Sequence, residues 1–247
     1  MKKFFVILLT CEILFGCERD EPNAVTVNAS LTPLVQIAQY STTVPEPSGL
    51  YYNSKTNSLW TVSDGNSAVY EIDFTGRVLR SMVIPSSDLE GITFSTNCDT
   101  FYVAEETNQL ITKYLTNGTK LYSFPCNVAT VISHGPEGVS LNTTNNYLWV
   151  LNERDPCMLL EYINKTELWR KQLNYTLDYS DIFYDKQLDC IWMVSDESKE
   201  VVKLTKTGEL IAAYTVPITK MEGITIVQDK IYLINDFNGI LYVFQKP

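Results

Sequence analysis

One phrase recurs five times along the chain, and it restricts the fold more than any other feature. It is a small or acidic residue, a Gly (Asp181 in the fourth copy), a short apolar strand, a polar turn, an aromatic-rich strand and an acid. The copies begin at Ser48-Gly49-Leu50, Glu90-Gly91-Ile92, Glu137-Gly138-Val139, Ser180-Asp181-Ile182 and Glu222-Gly223-Ile224. Their second strands close on Asp64, Glu106, Glu153, Asp196 and Asp236. The Gly positions are spaced by 42, 47, 43 and 42 residues. A period in the low forties with several short strands per unit predicts the blades of a β-propeller. Two further strands follow each acid, as in Val201–Leu204 and Leu210–Tyr214 around the Lys206-Thr207-Gly208 turn. Each unit is therefore expected to be a four-stranded antiparallel meander.

The fifth copy lacks one strand, stopping after Ile240–Phe244. A segment of matching pattern, Leu34–Tyr40, precedes the first copy. The expected fold is all-β: a five-bladed propeller over residues 34–247, whose N-terminal strand completes the last blade and covers a strand edge. Composition agrees, with 15 Tyr, 4 Trp and only short apolar runs, which favours strands.

Residues 1–16 read as an address. Lys2 and Lys3 precede an apolar stretch from Phe4 to Phe15, too short for the ~20 residues of a membrane-spanning helix. It ends in Leu14-Phe15-Gly16-Cys17, which resembles a bacterial lipobox with Cys17 as the lipid-bearing residue. Residues 17–33 lack periodicity and are expected to form a tether. The expectation is an exported protein, lipid-anchored to a membrane on its periplasmic or cell-surface side. Cys98, Cys126, Cys157 and Cys190 remain, without CxxC spacing, and either disulfides or free thiols are compatible with that compartment. The formal net charge of −10 opposes nucleic-acid binding.

In a meander the start of the first strand and the end of the second lie at the same end of the blade. The acids at both positions are therefore expected around one mouth of one channel: Glu90, Glu137, Glu222 and Asp181 from the starts, Asp64, Glu106, Glu153, Asp196 and Asp236 from the ends. Each close carboxylate pair costs about 1–4 kcal/mol at effective dielectrics of 80 to 20. Raised pKa values or a bound cation relieve that repulsion. An all-oxygen donor set suits Ca²⁺, with Mg²⁺ as the alternative. Zn²⁺ is disfavoured, because His134 is the only His and no Cys pair has ligand spacing.

Pro47-Ser48-Gly49-Leu50, Leu59–Asp64, Asp88-Leu89-Glu90-Gly91-Ile92 and Met221-Glu222-Gly223-Ile224 resemble the SdiA-regulated, YjiK-like family, distantly related to NHL-repeat propellers. The resemblance implies a membrane-associated or exported five-bladed ring with a bound Ca²⁺ and no established reaction. It carries Glu90, Glu137 and Glu222 over as metal ligands. Ser48 and Ser180 depart from the Glu-Gly motif, and Asp181 is the expected substitute ligand in the fourth copy.

No catalytic signature is present: no nucleophile elbow, P-loop or dinucleotide fingerprint. Two functions follow. One is a Ca²⁺-binding envelope module that binds a small molecule or a protein partner. The other is a metal-dependent hydrolase, similar to phytase-like or lactonase-like propellers, with His134 and Arg154 beside the metal as ligand contacts.

Overall fold

The computed structural model describes residues 31–247. The expected signal peptide, Cys17 and nearly all of the tether lie outside the described residues. Blade one comprises Pro47–Asn53, Ser58–Ser63, Ala68–Ile72 and Val78–Val83. Blade two comprises Leu89–Phe94, Thr100–Glu105, Leu110–Leu115 and Lys120–Pro125. Pro136–Asn142, Tyr147–Asn152, Met158–Ile163 and Thr166–Gln172 form blade three. Asp181–Asp185, Cys190–Ser195, Glu200–Thr205 and Leu210–Thr215 form blade four. Blade five begins with Met221–Val227, Lys230–Asn235 and Ile240–Gln245.

Its fourth strand is Gln36–Ser41 from the other end of the chain, antiparallel to Ile240–Phe244. The ring is a five-bladed propeller closed by its N-terminal strand. Thr32 and Pro33 also depart from the expected tether: they pair in parallel with Tyr214 and Thr215 at the outer edge of blade four.

Five apolar layers hold neighbouring blades together. Trp60, Trp149 and Trp192 occupy the same position of the second strands of blades one, three and four, and all three are fully buried. Side-chain hydroxyls on the first strands tie blades as well. Thr93 accepts from the Leu141 amide, Ser140 from Tyr184 and Thr225 from Tyr52, at 2.9–3.2 Å. This explains why Ser or Thr recurs two residues after the glycine of the Glu-Gly motif.

The layers also settle the cysteines. Cys98 packs between blades one and two, Cys126 between two and three, Cys157 between three and four, and Cys190 between four and five. Each thiol sits in a different layer, and all four are free.

Candidate functional site: an acidic mouth

The first strands line the axis so closely that little but glycine fits. A Cβ on Gly91 would lie 2.3 Å from the Glu137 carbonyl oxygen, and one on Gly49 2.5 Å from that of Glu90. The pairing of first and second strands slips beside these glycines in blades one, two, three and five. In blades three and five, Glu137 and Glu222 are the unpaired extra residues. A bulge re-aims a side chain, and here it turns the Glu into the mouth.

The mouth is a cavity of about 210 Å³. Eight of the nine acids expected there line it: Asp64, Glu90, Glu106, Glu137, Glu153, Asp196, Glu222 and Asp236. Arg154 lines it too.

Asp181 does not. Blade four pairs without a slip, so Asp181 stands opposite Val194 at the glycine position. Its carboxylate is buried beneath the mouth, and Oδ2 accepts from the Ile224 amide at 2.8 Å and the Leu50 amide at 3.1 Å. One side chain thus joins blades four, five and one across the axis, as a plug beneath the acids. His134 also falls outside the lining; its Nδ1 lies 2.7 Å from Asp155 Oδ2.

Sequence reasoning missed Glu46, Asp88, Asp178 and Lys220, each two residues before the start of a repeat. In four of the five blades a backbone hydrogen bond ties this position to the acid that ends the second strand. The carbonyls of Glu46, Asp88, Gly135 and Lys220 accept from the amides of Asp64, Glu106, Glu153 and Asp236 at 2.9–3.2 Å. In blade four the Asp178 carboxylate accepts from the Glu197 amide at 3.2 Å instead.

Charge is uneven around the ring. On one side Lys220 Nζ lies 3.5 Å from Asp196 and 3.9 Å from Glu222. Arg154 is 3.3 Å from Glu153 and is also paired with Glu197. From blade one round to Glu153, which Arg154 partly compensates, carboxylates meet carboxylates. Asp64, Asp88 and Glu90 each offer an oxygen within 4.8 Å of the others, as do Glu106, Glu137 and Glu153.

Burial and mutual repulsion push these groups upward. Desolvation, then Asp88, raise Asp64 to about 6. Desolvation raises Glu222 to about 7 and Glu153 to about 8, against the pull of Arg154. Glu90 and Glu137 rise well above the usual carboxylate range, first through burial. Glu137 is more than nine-tenths buried, and its charged neighbours are Glu90, Glu222, Glu153 and Glu106.

Fold and mouth together define a β-propeller with one acidic opening. The SdiA-regulated family model matches residues 34–174 and 164–245, and the chain belongs to that family. No curated protein sequence matches it. Among solved structures, virginiamycin B lyase from Staphylococcus aureus with quinupristin is similar at 16% identity and a TM-score of 0.52. That match covers 80% of this chain and 66% of the lyase, so the chain spans just under two thirds of its length. Glutaminyl cyclase from Myxococcus xanthus is similar at 11% identity and a TM-score of 0.66, covering 86% of this chain and 97% of the cyclase. At these identities the likeness is one of fold alone.

Proposed function

We propose that this chain is a Ca²⁺-binding propeller of the cell envelope, held to a membrane through lipid on Cys17, that binds a ligand or protein partner at its acidic mouth. The observation that carries the metal reading is the pair of carboxylate triads. Two oxygens on one Ca²⁺, at 2.3–2.6 Å each, are separated by at most about 5 Å. Each triad meets that limit before any ion is added. The donor set is all oxygen, hard and anionic, and Ca²⁺ tolerates its irregular geometry better than Mg²⁺ does. Asp64, Asp88 and Glu90 would hold one ion, and Glu106, Glu137 and Glu153 the other. Lys220 already compensates the Asp196–Glu222 side.

The rim favours binding over hydrolysis. Ile132, Leu177 and Phe237 are exposed, Phe237 to 84%. Each adjoins in sequence a residue that lines the mouth: Ser133, Asp178 and Asp236. Apolar side chains around a polar centre suit contact with another molecule. The two side chains expected to meet a hydrolase substrate are engaged within the protein, Arg154 by Glu153 and Glu197 and His134 by Asp155.

Thermal unfolding in EDTA, followed by titration with Ca²⁺ and with Mg²⁺, tests the proposal. A native-state ligand at one hundred times its Kd stabilises by about 2.7 kcal/mol, or roughly 5–10 °C for a domain of this size. A saturable Ca²⁺ shift of that order is expected, and its loss in the combined Glu90→Gln, Glu137→Gln, Glu222→Gln variant. If neither metal moves the melt, the acids serve solubility alone and the metal reading falls.

A further inference from the structure

A second cavity, of about 200 Å³, opens between blades two and three. Its rim residues Ser95, Asn146, Asn164 and Lys165 lie in or beside the turns joining first to second and third to fourth strands. Those turns are at the end of the ring opposite the acidic mouth, and the chemistry is opposite too. Tyr102, Lys113 and Tyr122 stand side by side on three adjacent strands of blade two, with Lys113 the cross-strand partner of both tyrosines. Lys113 Nζ lies 4.7 Å from the centre of the Tyr102 ring. From blade three, Lys165 Nζ lies 5.0 Å from the Tyr122 ring.

Lys165 is fixed by its turn. Asn164 and Lys165 have φ of 47° and 71° between paired Ile163 and Thr166. Such a two-residue hairpin favours Gly at its second position, so a lysine there is conformationally costly.

The floor is apolar and buried: Phe124, Leu141, Leu148 and Tyr162. Among the described residues no carboxylate lies within salt-bridge distance of Lys113 or Lys165, so neither ammonium is neutralised by an ion pair; the lysines that are so paired, Lys171, Lys206, Lys220 and Lys246, lie outside the cleft. Asp99, which Lys113 influences, is fully exposed and held by Ser95 and Asn97. Glu167, two residues beyond Lys165 in sequence, is paired with Arg170 at 2.6 Å. Two ammonium groups without acid partners over an aromatic floor are thus concentrated in a chain of net charge −10. The phenols of Tyr102 and Tyr122, 3.4 Å apart, add hydrogen-bond donors. Burial raises Tyr122 to about 12, which keeps its proton in place at neutral pH.

We propose that this cleft binds a small aromatic carboxylate. The carboxylate would sit between the Lys113 and Lys165 ammoniums, and the ring would lie on Phe124, Leu148 and Tyr162. The volume falls below the roughly 300–1,000 Å³ of pockets that hold drug-sized ligands, so the occupant is of the size of benzoate. This site is independent of the acidic mouth.

Benzoate, with benzamide as the uncharged control, provides the probe, followed by ligand-observed NMR on the full chain. Saturable benzoate binding with a Kd of about 1 mM or tighter is expected, equivalent to at least ~4 kcal/mol. Lys113→Gln and Lys165→Gln should each weaken it about tenfold, added salt should weaken it, and benzamide should bind about tenfold more weakly. Glu137→Gln, at the other end of the ring, should leave it unchanged. No saturation by ~20 mM benzoate, a value well beyond millimolar affinity, overturns the proposal. So do lysine variants that bind as the parent does, or benzamide binding equal to benzoate.

Discussion

Replacing Asp181 with alanine is expected to lower the melting temperature by roughly 8–16 °C, while Asp181→Asn stays within about 3 °C of the parent. Two backbone amides depend on this carboxylate. Leu50 and Ile224 donate to Oδ2 from blades one and five, at positions closed to water. Alanine leaves both donors without an acceptor, at about 1–3 kcal/mol each, and leaves a void at the axis, so the total is about 4 kcal/mol. Asparagine keeps an acceptor oxygen in place. It also removes a group whose ionisation is opposed: burial holds Asp181 well above the usual carboxylate range, against the lowering effect of its amide partners. Oδ1 has no partner among the described residues, so little is lost there. Differential scanning calorimetry of both variants checks the pair. An alanine variant as stable as the parent would falsify the plug.

In EDTA, the melting temperature is expected to rise as the pH falls from about 8 to about 6, opposite to ordinary acid denaturation. Asp64, Glu222 and Glu153 have folded-state pKa values near 6, 7 and 8, while unfolded carboxyls titrate near 4. Between those limits the folded chain holds more protons than the unfolded chain. Stability therefore falls as pH rises through that window and returns as pH drops. One pKa unit corresponds to about 1.4 kcal/mol; Asp64 is exposed and its share is screened by solvent, so Glu222 and Glu153 carry most of an expected rise of at least ~5 °C. Saturating Ca²⁺ should flatten the slope, since the cation replaces the protons. A melt that falls steadily from pH 8 to pH 6 in EDTA would show that these carboxylates are ordinarily solvated.

The ring was legible from the chain because its signal is local and repeated. The Gly-anchored first strand and the aromatic second strand recur in register, and the unpaired strands at both ends of the pattern required each other. Eight of the nine mouth acids were legible for the same reason: their places follow from strand polarity. Asp181 was legible as an outlier but not in its role. Whether an acid at a glycine position projects into the mouth or folds beneath it depends on a one-residue slip in pairing, present in four blades and absent in the fourth. Glu46, Asp88, Asp178 and Lys220 escaped notice because they belong to the connections between blades, where sequence has no periodicity. Their common offset from each repeat was the available signal. The basic cleft was hidden for a different reason. Tyr102, Lys113, Tyr122 and Lys165 come from four separate strands and turns, and only the packing of two blades brings them together.

The fifth blade is assembled from two stretches of chain about 200 residues apart, Gln36–Ser41 and Ile240–Gln245. Within a blade, neighbouring strands are separated by roughly a dozen residues, so this last contact demands about four further doublings of loop length, or roughly 2–3 kcal/mol of additional closure entropy. Long-range pairings of this kind form late. A chain emerging residue by residue can therefore build four blades as it is made, but it must hold Gln36–Ser41 unpaired until Gln245 has appeared. During that interval the ring is an open arc, with a bare edge at each end. The moment of greatest exposure to proteases and to self-association is thus fixed by the timing of the final strand.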